Sequence, residues 1–308
     1  MKVYSNYLPI ERYEKFILSK DKFKDLPITI FNDYFTKDNW KELGENPINI
    51  LILNEPDQLF GHHTQVQKFN NNYSLILTWG QNVIDNCDNA RLFIHGETNL
   101  ELDYINSFYK NKERKFEVTF LSGVLKLIEG HKLRQKILSI ENEINIPTRF
   151  WKVLSDFNYE TGNRPGYRDP GCEVITTKGT PIEGEGKKEV WNRNSMFHIA
   201  VENSRNLNYY TDKIVDCFAT KTIPIYWGAP NIGDYFNKDG IITFENEEDL
   251  IDILNNLTEK DYKNKLEAVE ENYILALNNG FFFERLERFL DSIIELNNIT
   301  NRGISSDG

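Results

Sequence analysis

The segment that most restricts the fold is Ile48–Leu53, an almost unbroken apolar run (INILIL) cut off at Asn54-Glu55-Pro56. A run without polar alternation needs apolar cover on both faces, which a parallel strand between two helical layers supplies. The proline marks its end. Similar short runs follow at residues 73–79 (YSLILTW) and 90–94 (ARLFI). Residues 109–115 (YKNKERK) are charged and hold no large aliphatic side chain, so an inter-domain linker is expected there. The alternation then restarts. Strands are expected at 116–121, 147–154, 196–201, 222–227 and 241–244, with helices at 130–140 and 211–220. Two or three acidic amphipathic helices follow, ending near Asn298. Residues 156–188 are rich in Gly, Pro and charge and read as a long functional excursion. The pattern predicts an α/β chain in two units, residues 1–112 and 113–298, with a disordered tail over 299–308.

Length and charge narrow the function classes. A chain of 308 residues suits two domains. With 36 Lys+Arg against 47 Asp+Glu, the net charge of −11 argues against broad nucleic-acid binding. No stretch approaches 18 uncharged apolar residues, and the first residues lack the apolar core of a signal peptide. A cytoplasmic protein is therefore expected, touching a membrane at most peripherally. Cys87, Cys172 and Cys217 are scattered without metal-ligand spacing and read as reduced thiols. Three Asn-x-Ser/Thr sequons, at Asn72, Asn256 and Asn298, read as coincidence in an Asn-rich chain.

The most informative stretch begins at Val201-Glu202-Asn203-Ser204, continues to Tyr209-Tyr210-Thr211-Asp212-Lys213, and ends at Ile223-Pro224-Ile225-Tyr226-Trp227-Gly228. It reads as strand, polar loop, helix start, helix, strand and glycine turn. In open α/β sheets ligands bind beyond the carboxyl ends of strands, where Glu202 and Asn203 are expected. Thr211 can cap the helix, leaving N–H groups that favour an anion. Lys213 lies in the first turn, where the helix dipole disfavours a cation unless a phosphate is bound. By residue types alone, a phosphate site and a solvated helix start both remain open. Tyr226 and Trp227 read as core, whereas Tyr209 stands in the polar loop. His62-His63 could line a cleft, but adjacent histidines point in different directions. Gly184-Glu185-Gly186-Lys187-Lys188 lacks the full phosphate-loop spacing. The chain has no Asp-x-Asp triplet, so no metal site is expected.

The stretch VENSRNLNYYTDKIVDCFATKTIPIYWGAPNIGDYF resembles the signature of glycosyltransferase family 10, the α1,3/4-fucosyltransferases. That signature runs Phe-Glu-Asn-Ser, then Tyr-x-Thr-Glu-Lys, then a Pro-x-x-x-Gly strand-turn. Val201 stands for its Phe and Asp212 for its Glu, both keeping the chemical character. The resemblance implies a GT-B arrangement of two Rossmann-like domains facing across a cleft, with the last helices crossing back to brace it. It implies an inverting fucosyltransferase of glycan biosynthesis, of the soluble bacterial or viral type. The donor would be GDP-β-L-fucose and the acceptor a glycan hydroxyl, the 3-OH of GlcNAc or Glc. By the same resemblance Glu55 is the general base, with Glu97 its competitor, and Glu202 stabilises charge on the sugar. Arg134, Asn203, Tyr209, Asp212 and Lys213 would bind the donor. No cofactor is implied and no divalent metal is expected to be essential, since Arg134, Lys213 and the helix start would neutralise the pyrophosphate. The alternatives are a transferase using another GDP-hexose, or a nucleotide-sugar or glycan binder without catalysis.

Overall fold

The computed structural model describes residues 1–6, 9–34, 46–94, 96–108, 113–154, 173–177, 194–279 and 281–304. The first 94 residues build one five-stranded sheet. Its strands β1 (Lys2–Ser5), β2 (Ile28–Asn32), β3 (Ile48–Leu53), β4 (Leu75–Thr78) and β5 (Ala90–Leu92) lie in that order. Every neighbouring pair is parallel. Helices α1 (Ile10–Leu18), α2 (Asp57–Phe60), α3 (His62–Val66) and α4 (Gln81–Asn86) connect them, and α5 (Leu102–Phe108) leads away. The unbroken run of β3 is explained by cover on both sides. Ile50 and Ile52 join one buried cluster with Tyr13 and Phe16 of α1, while Leu51 and Leu53 join another with Val66 and Val83. Successive side chains of a strand point to opposite faces, so with both faces covered β3 is apolar at every position but Asn49.

Strands β1 and β2 lie ahead of the first strand expected from the sequence. KVYS is short and only partly buried, and ITIFN is wedged between Pro27 and Asp33. Neither is long enough to show a period of its own. Pairing with β3 makes them strands.

The second sheet has six strands in the order β11-β10-β9-β6-β7-β8. These are β6 (Lys115–Ser122), β7 (Thr148–Leu154), β8 (Glu173–Thr176), β9 (Ser195–Val201), β10 (Ile223–Trp227) and β11 (Ile242–Thr243). All neighbouring pairs are parallel except β7 with β8. Strand β8 comes from within the long excursion; residues 155–172 and 178–193, with Cys172 and Gly184 to Lys188, lie outside the described residues. The helices are α6 (Glu129–Ser139), α7 (Asp212–Ala219), α8 (Glu247–Asn256), α9 (Glu259–Asn264) and α10 (Leu266–Asn279). They cover both faces. The chain leaves β6 toward β7 and β8, then returns to the other side of β6 as β9. That reversal between β6 and β9 is where an open α/β sheet forms a crevice at its carboxyl edge.

The last helix, α11 (Phe282–Ile304), returns to the first sheet. Phe282, Leu286 and Leu290 join the cluster of Tyr13, Phe23, Ile30 and Leu77. Its first turn is held by Glu97, whose carboxylate accepts the Phe282 N–H at 3.1 Å and an Arg12 N–H at 3.2 Å. A carboxylate at a helix N-terminus is favoured by unpaired N–H groups and by the dipole. Among the described residues no helix is long and apolar enough to cross a membrane.

Candidate functional site

Three adjacent strands of the first sheet end in polar residues that converge on Glu55. Asp33 follows β2 and is fully buried, with a left-handed φ of 47°. Its carboxylate accepts the N–H of Asn54 at 2.9 Å and of Glu55 at 3.2 Å. Trp79 follows β4, and its indole N–H donates to the Asn54 carbonyl at 2.7 Å. The Asn54 amide donates to Asn32, which in turn donates to the Tyr13 hydroxyl. Burial pushes the Asp33 carboxyl up, opposed by the nearby His62 and the two backbone N–H groups. Glu55 itself is half-buried at the end of β3.

The two histidines do point apart. His62 is buried between the Phe60 ring, stacked at 5.2 Å, and Asp33, whose carboxylate lies 3.9 Å from Nδ1. His63 turns instead toward Trp79, with ring centroids 4.6 Å apart, and burial lowers its pKa to about 4. Among the described residues no group of three His, Cys, Asp or Glu side chains is placed to hold a metal ion.

On the second sheet the signature loop leaves β9 at the reversal point. Glu202 is fully buried and accepts the Thr211 N–H at 2.8 Å and its hydroxyl at 2.7 Å. Thr211 caps α7 as its residue type suggests, accepting the Lys213 N–H. The Lys213 ammonium lies 3.0 Å from Thr211 Oγ1, 3.7 Å from Glu202 and 3.8 Å from Asp212. Burial pushes the Glu202 carboxyl up, against the pull of Lys213 and the Thr211 bonds. Arg134, from α6, donates to the Val201 carbonyl at 3.0 Å and to Asn203 Oδ1 at 2.5 Å. The N-terminus of α6 comes so close that the Gly130 N–H bonds the Asn203 carbonyl at 3.1 Å. Arg134, Glu202, Asn203, Thr211, Asp212 and Lys213 thus form one connected cluster after β9, beside the starts of α6 and α7.

Two members of the expected donor set face the first sheet. Tyr209 is buried, and its ring meets Trp79 at 4.8 Å. Asp212 accepts from the Asn99 amide, so its carboxylate is engaged at the junction between the two sheets. Glu97, the competing base, is committed to Arg12 and the start of α11. Asp33, Asn54, Trp79 and Asn208 also belong to the site, though no motif in the sequence marks them. Asn208 has a left-handed φ of 64° and accepts from Asn231 at 2.8 Å and from the Tyr235 hydroxyl at 2.7 Å. Its amide reaches the Trp79 carbonyl at 3.4 Å. Asparagine tolerates that conformation better than most residues, which is the one local signal it carries.

Residues 176–266 match the family model described as glycosyltransferase family 10 (fucosyltransferase) C-term. An α-(1,3)-fucosyltransferase FucT of Helicobacter pylori is 30% identical over 149 residues, which is 46% of this chain and 28% of the relative. A putative fucosyltransferase R654 of Acanthamoeba polyphaga mimivirus is 34% identical over 97 residues, 30% of this chain and 16% of the relative. The chain thus spans less than a third of the length of these curated relatives. A crystal structure of an α1,3-fucosyltransferase superposes with a TM-score of 0.53 at 16% identity, covering 96% of this chain and 90% of the other. The likeness shows the fold: the two sheets form a GT-B arrangement of Rossmann-like units.

Proposed function

We propose that this chain, whose residues 176–266 fall within glycosyltransferase family 10, is an inverting fucosyltransferase using GDP-β-L-fucose as donor. One observation carries the reading. The strand end that bears Glu55 and the loop that runs from Glu202 to Thr211 are joined through Trp79, which bonds Asn54 on one side and meets Tyr209 on the other. That contact sets a strand end bearing a carboxylate against the loop that precedes a capped helix start, the two kinds of group that transfer from a nucleotide-sugar would use.

In the proposed reaction the acceptor hydroxyl oxygen attacks the anomeric carbon of fucose. Its proton passes to the Glu55 carboxylate. The bond between the anomeric carbon and the β-phosphate oxygen breaks, its electron pair leaving with GDP. Lys213 and the N-terminus of α7 stabilise the charge growing on the departing phosphate. Arg134 holds Asn203 and the end of β9 in place beside it. Buried Glu202 accepts the N–H and the hydroxyl of Thr211 and lies 3.7 Å from the Lys213 ammonium, and its proposed role is to stabilise positive charge developing on the sugar ring. The acceptor is a glycan hydroxyl, proposed as the 3-OH of GlcNAc or Glc. With Lys213 and a helix start facing the pyrophosphate, transfer is proposed to need no divalent metal.

Isothermal titration with GDP, GDP-fucose and GDP-mannose, with and without Mg²⁺, tests the donor half. GDP and GDP-fucose should bind equally in EDTA, and Lys213→Ala should abolish both. Absence of binding by any GDP compound would remove the donor assignment. Glu55→Gln tests the base: turnover should fall roughly 10²- to 10⁴-fold with donor binding intact.

A further inference from the structure

We propose that Trp79 and Asp33 are positioning residues for Glu55, and that Trp79 also sets this base in register with the donor-side loop. The inference deepens the reading of Glu55 as base and rests on it. The peptide unit joining Asn54 to Glu55 is held at both of its polar groups. Its carbonyl accepts the Trp79 indole N–H at 2.7 Å, and its N–H donates to Asp33 Oδ2 at 3.2 Å. Asp33 Oδ1 takes the preceding N–H at 2.9 Å. The two partners come from the ends of β2 and β4, the strands on either side of β3. A peptide plane bound at both edges cannot rotate, and its orientation sets the direction in which the Glu55 side chain leaves the backbone.

Asp33 keeps a left-handed backbone at φ 47°, a conformation that a non-glycine residue holds only when its surroundings over-determine it. Its own backbone is tied as well, its N–H to Ile52 O at 2.8 Å and its carbonyl to the Asn6 amide at 3.1 Å. Trp79 makes the link to the other sheet. Its ring meets Tyr209 at 4.8 Å and its carbonyl lies 3.4 Å from the Asn208 amide, both residues of the loop between Glu202 and Thr211. One side chain thus touches the backbone of the base and the loop of the donor site. Misplacing a reacting group by about 1 Å can cost on the order of 10²-fold in rate, so a residue that sets this register is visible in turnover.

The test measures GDP release from GDP-fucose with N-acetyllactosamine, with lactose and with water alone, per GDP-binding site counted by titration. Trp79→Phe keeps an aromatic ring against Tyr209 but deletes the N–H to Asn54. It should lower kcat roughly 10- to 100-fold and leave the KM for GDP-fucose within about twofold. In a Glu55→Gln background the same change should cost almost nothing further, because a positioning residue has nothing left to position. Asp33→Asn should repeat the pattern. Wild-type kcat in Trp79→Phe overturns the proposal, as does an equal loss in both backgrounds or loss of GDP binding in both single variants, which would make the residues merely structural. Failure of the underlying reading looks different. Glu55→Gln would then turn over like the wild type, or the wild type would release no GDP, and the inference would fall with it.

Discussion

Gly130 opens α6 directly beneath the signature loop. A Cβ built there would lie 1.9 Å from the Glu202 carbonyl oxygen and 2.7 Å from that of Asn203. Both obstacles are backbone, so neither can swing aside as a side chain would. Gly130→Ala should therefore push α6 off the loop, lose the hydrogen bond to Asn203, and destabilise the fold by about 1–3 kcal/mol. GDP affinity should fall with it; a melt and a GDP titration on the same variant check both. Gly228 plays a related part, because a Cβ there would meet the Tyr226 hydroxyl at 2.1 Å and the Glu202 side chain at 2.6 Å. The sequence marked Gly228 as a turn, which is a local property. The need for a missing side chain at Gly130 comes from a loop more than 70 positions away and leaves no local trace.

The element that joins the end of the chain to its beginning is α11. Phe282, Leu286 and Leu290 recur every four residues, so they form one apolar stripe along the helix. Leu286 and Leu290 are fully buried against α1 and the first sheet. Leu286→Ala should cost about 2–5 kcal/mol, read as a lower urea midpoint with little change in GDP affinity, since the stripe lies away from the signature loop. The amphipathic pattern of this helix is legible in the sequence. Its partner is not, because an apolar stripe fits any apolar surface. Glu97 ties down the docking by accepting the first N–H of α11, so this carboxylate is engaged by the helix start.

At the scale of the molecule, the two sheets are joined by a polar strap beside the aromatic contact. The Thr98 hydroxyl and the Asn99 N–H donate to Asp216 on α7 at 2.7 and 2.9 Å. Each half also buries a neutral histidine. Burial holds His63 at a pKa of about 4 and His198 at about 3, below the ordinary 6.5. The folded state therefore resists protons that the unfolded chain takes up below pH 6.5, and stability is lost as the pH falls from there toward 4. Each histidine costs on the order of 2 kcal/mol at pH 5 relative to pH 7. The buried carboxyls of Asp33 and Glu202 are raised and act in the opposite sense, so the effect is best read as a difference. His63→Phe should flatten the change in unfolding free energy between pH 7 and pH 5 by roughly that amount; an unchanged slope would show that His63 is protonated in the fold.

The amino-acid sequence alone determined the strands closed by a proline or a polar break, the Thr211 cap, the signature loop with Glu202 and Lys213, and a carboxylate at the end of β3. Each of these depends on neighbours within a few positions, so a linear reading contains them. Tertiary structure alone decided that β1 and β2 are strands, since they are too short to show a period until β3 pairs with them. It therefore alone revealed Asp33, which ends β2, and its hold on Glu55. It also turned Trp79 from one more residue at a strand end into a contact between the end of β3 and the loop after β9. Hydrogen bonds and ring contacts depend on distance in space, and Trp79 lies 25 positions from Asn54 and 130 from Tyr209 along the chain. Only the packing of two sheets brings those three together.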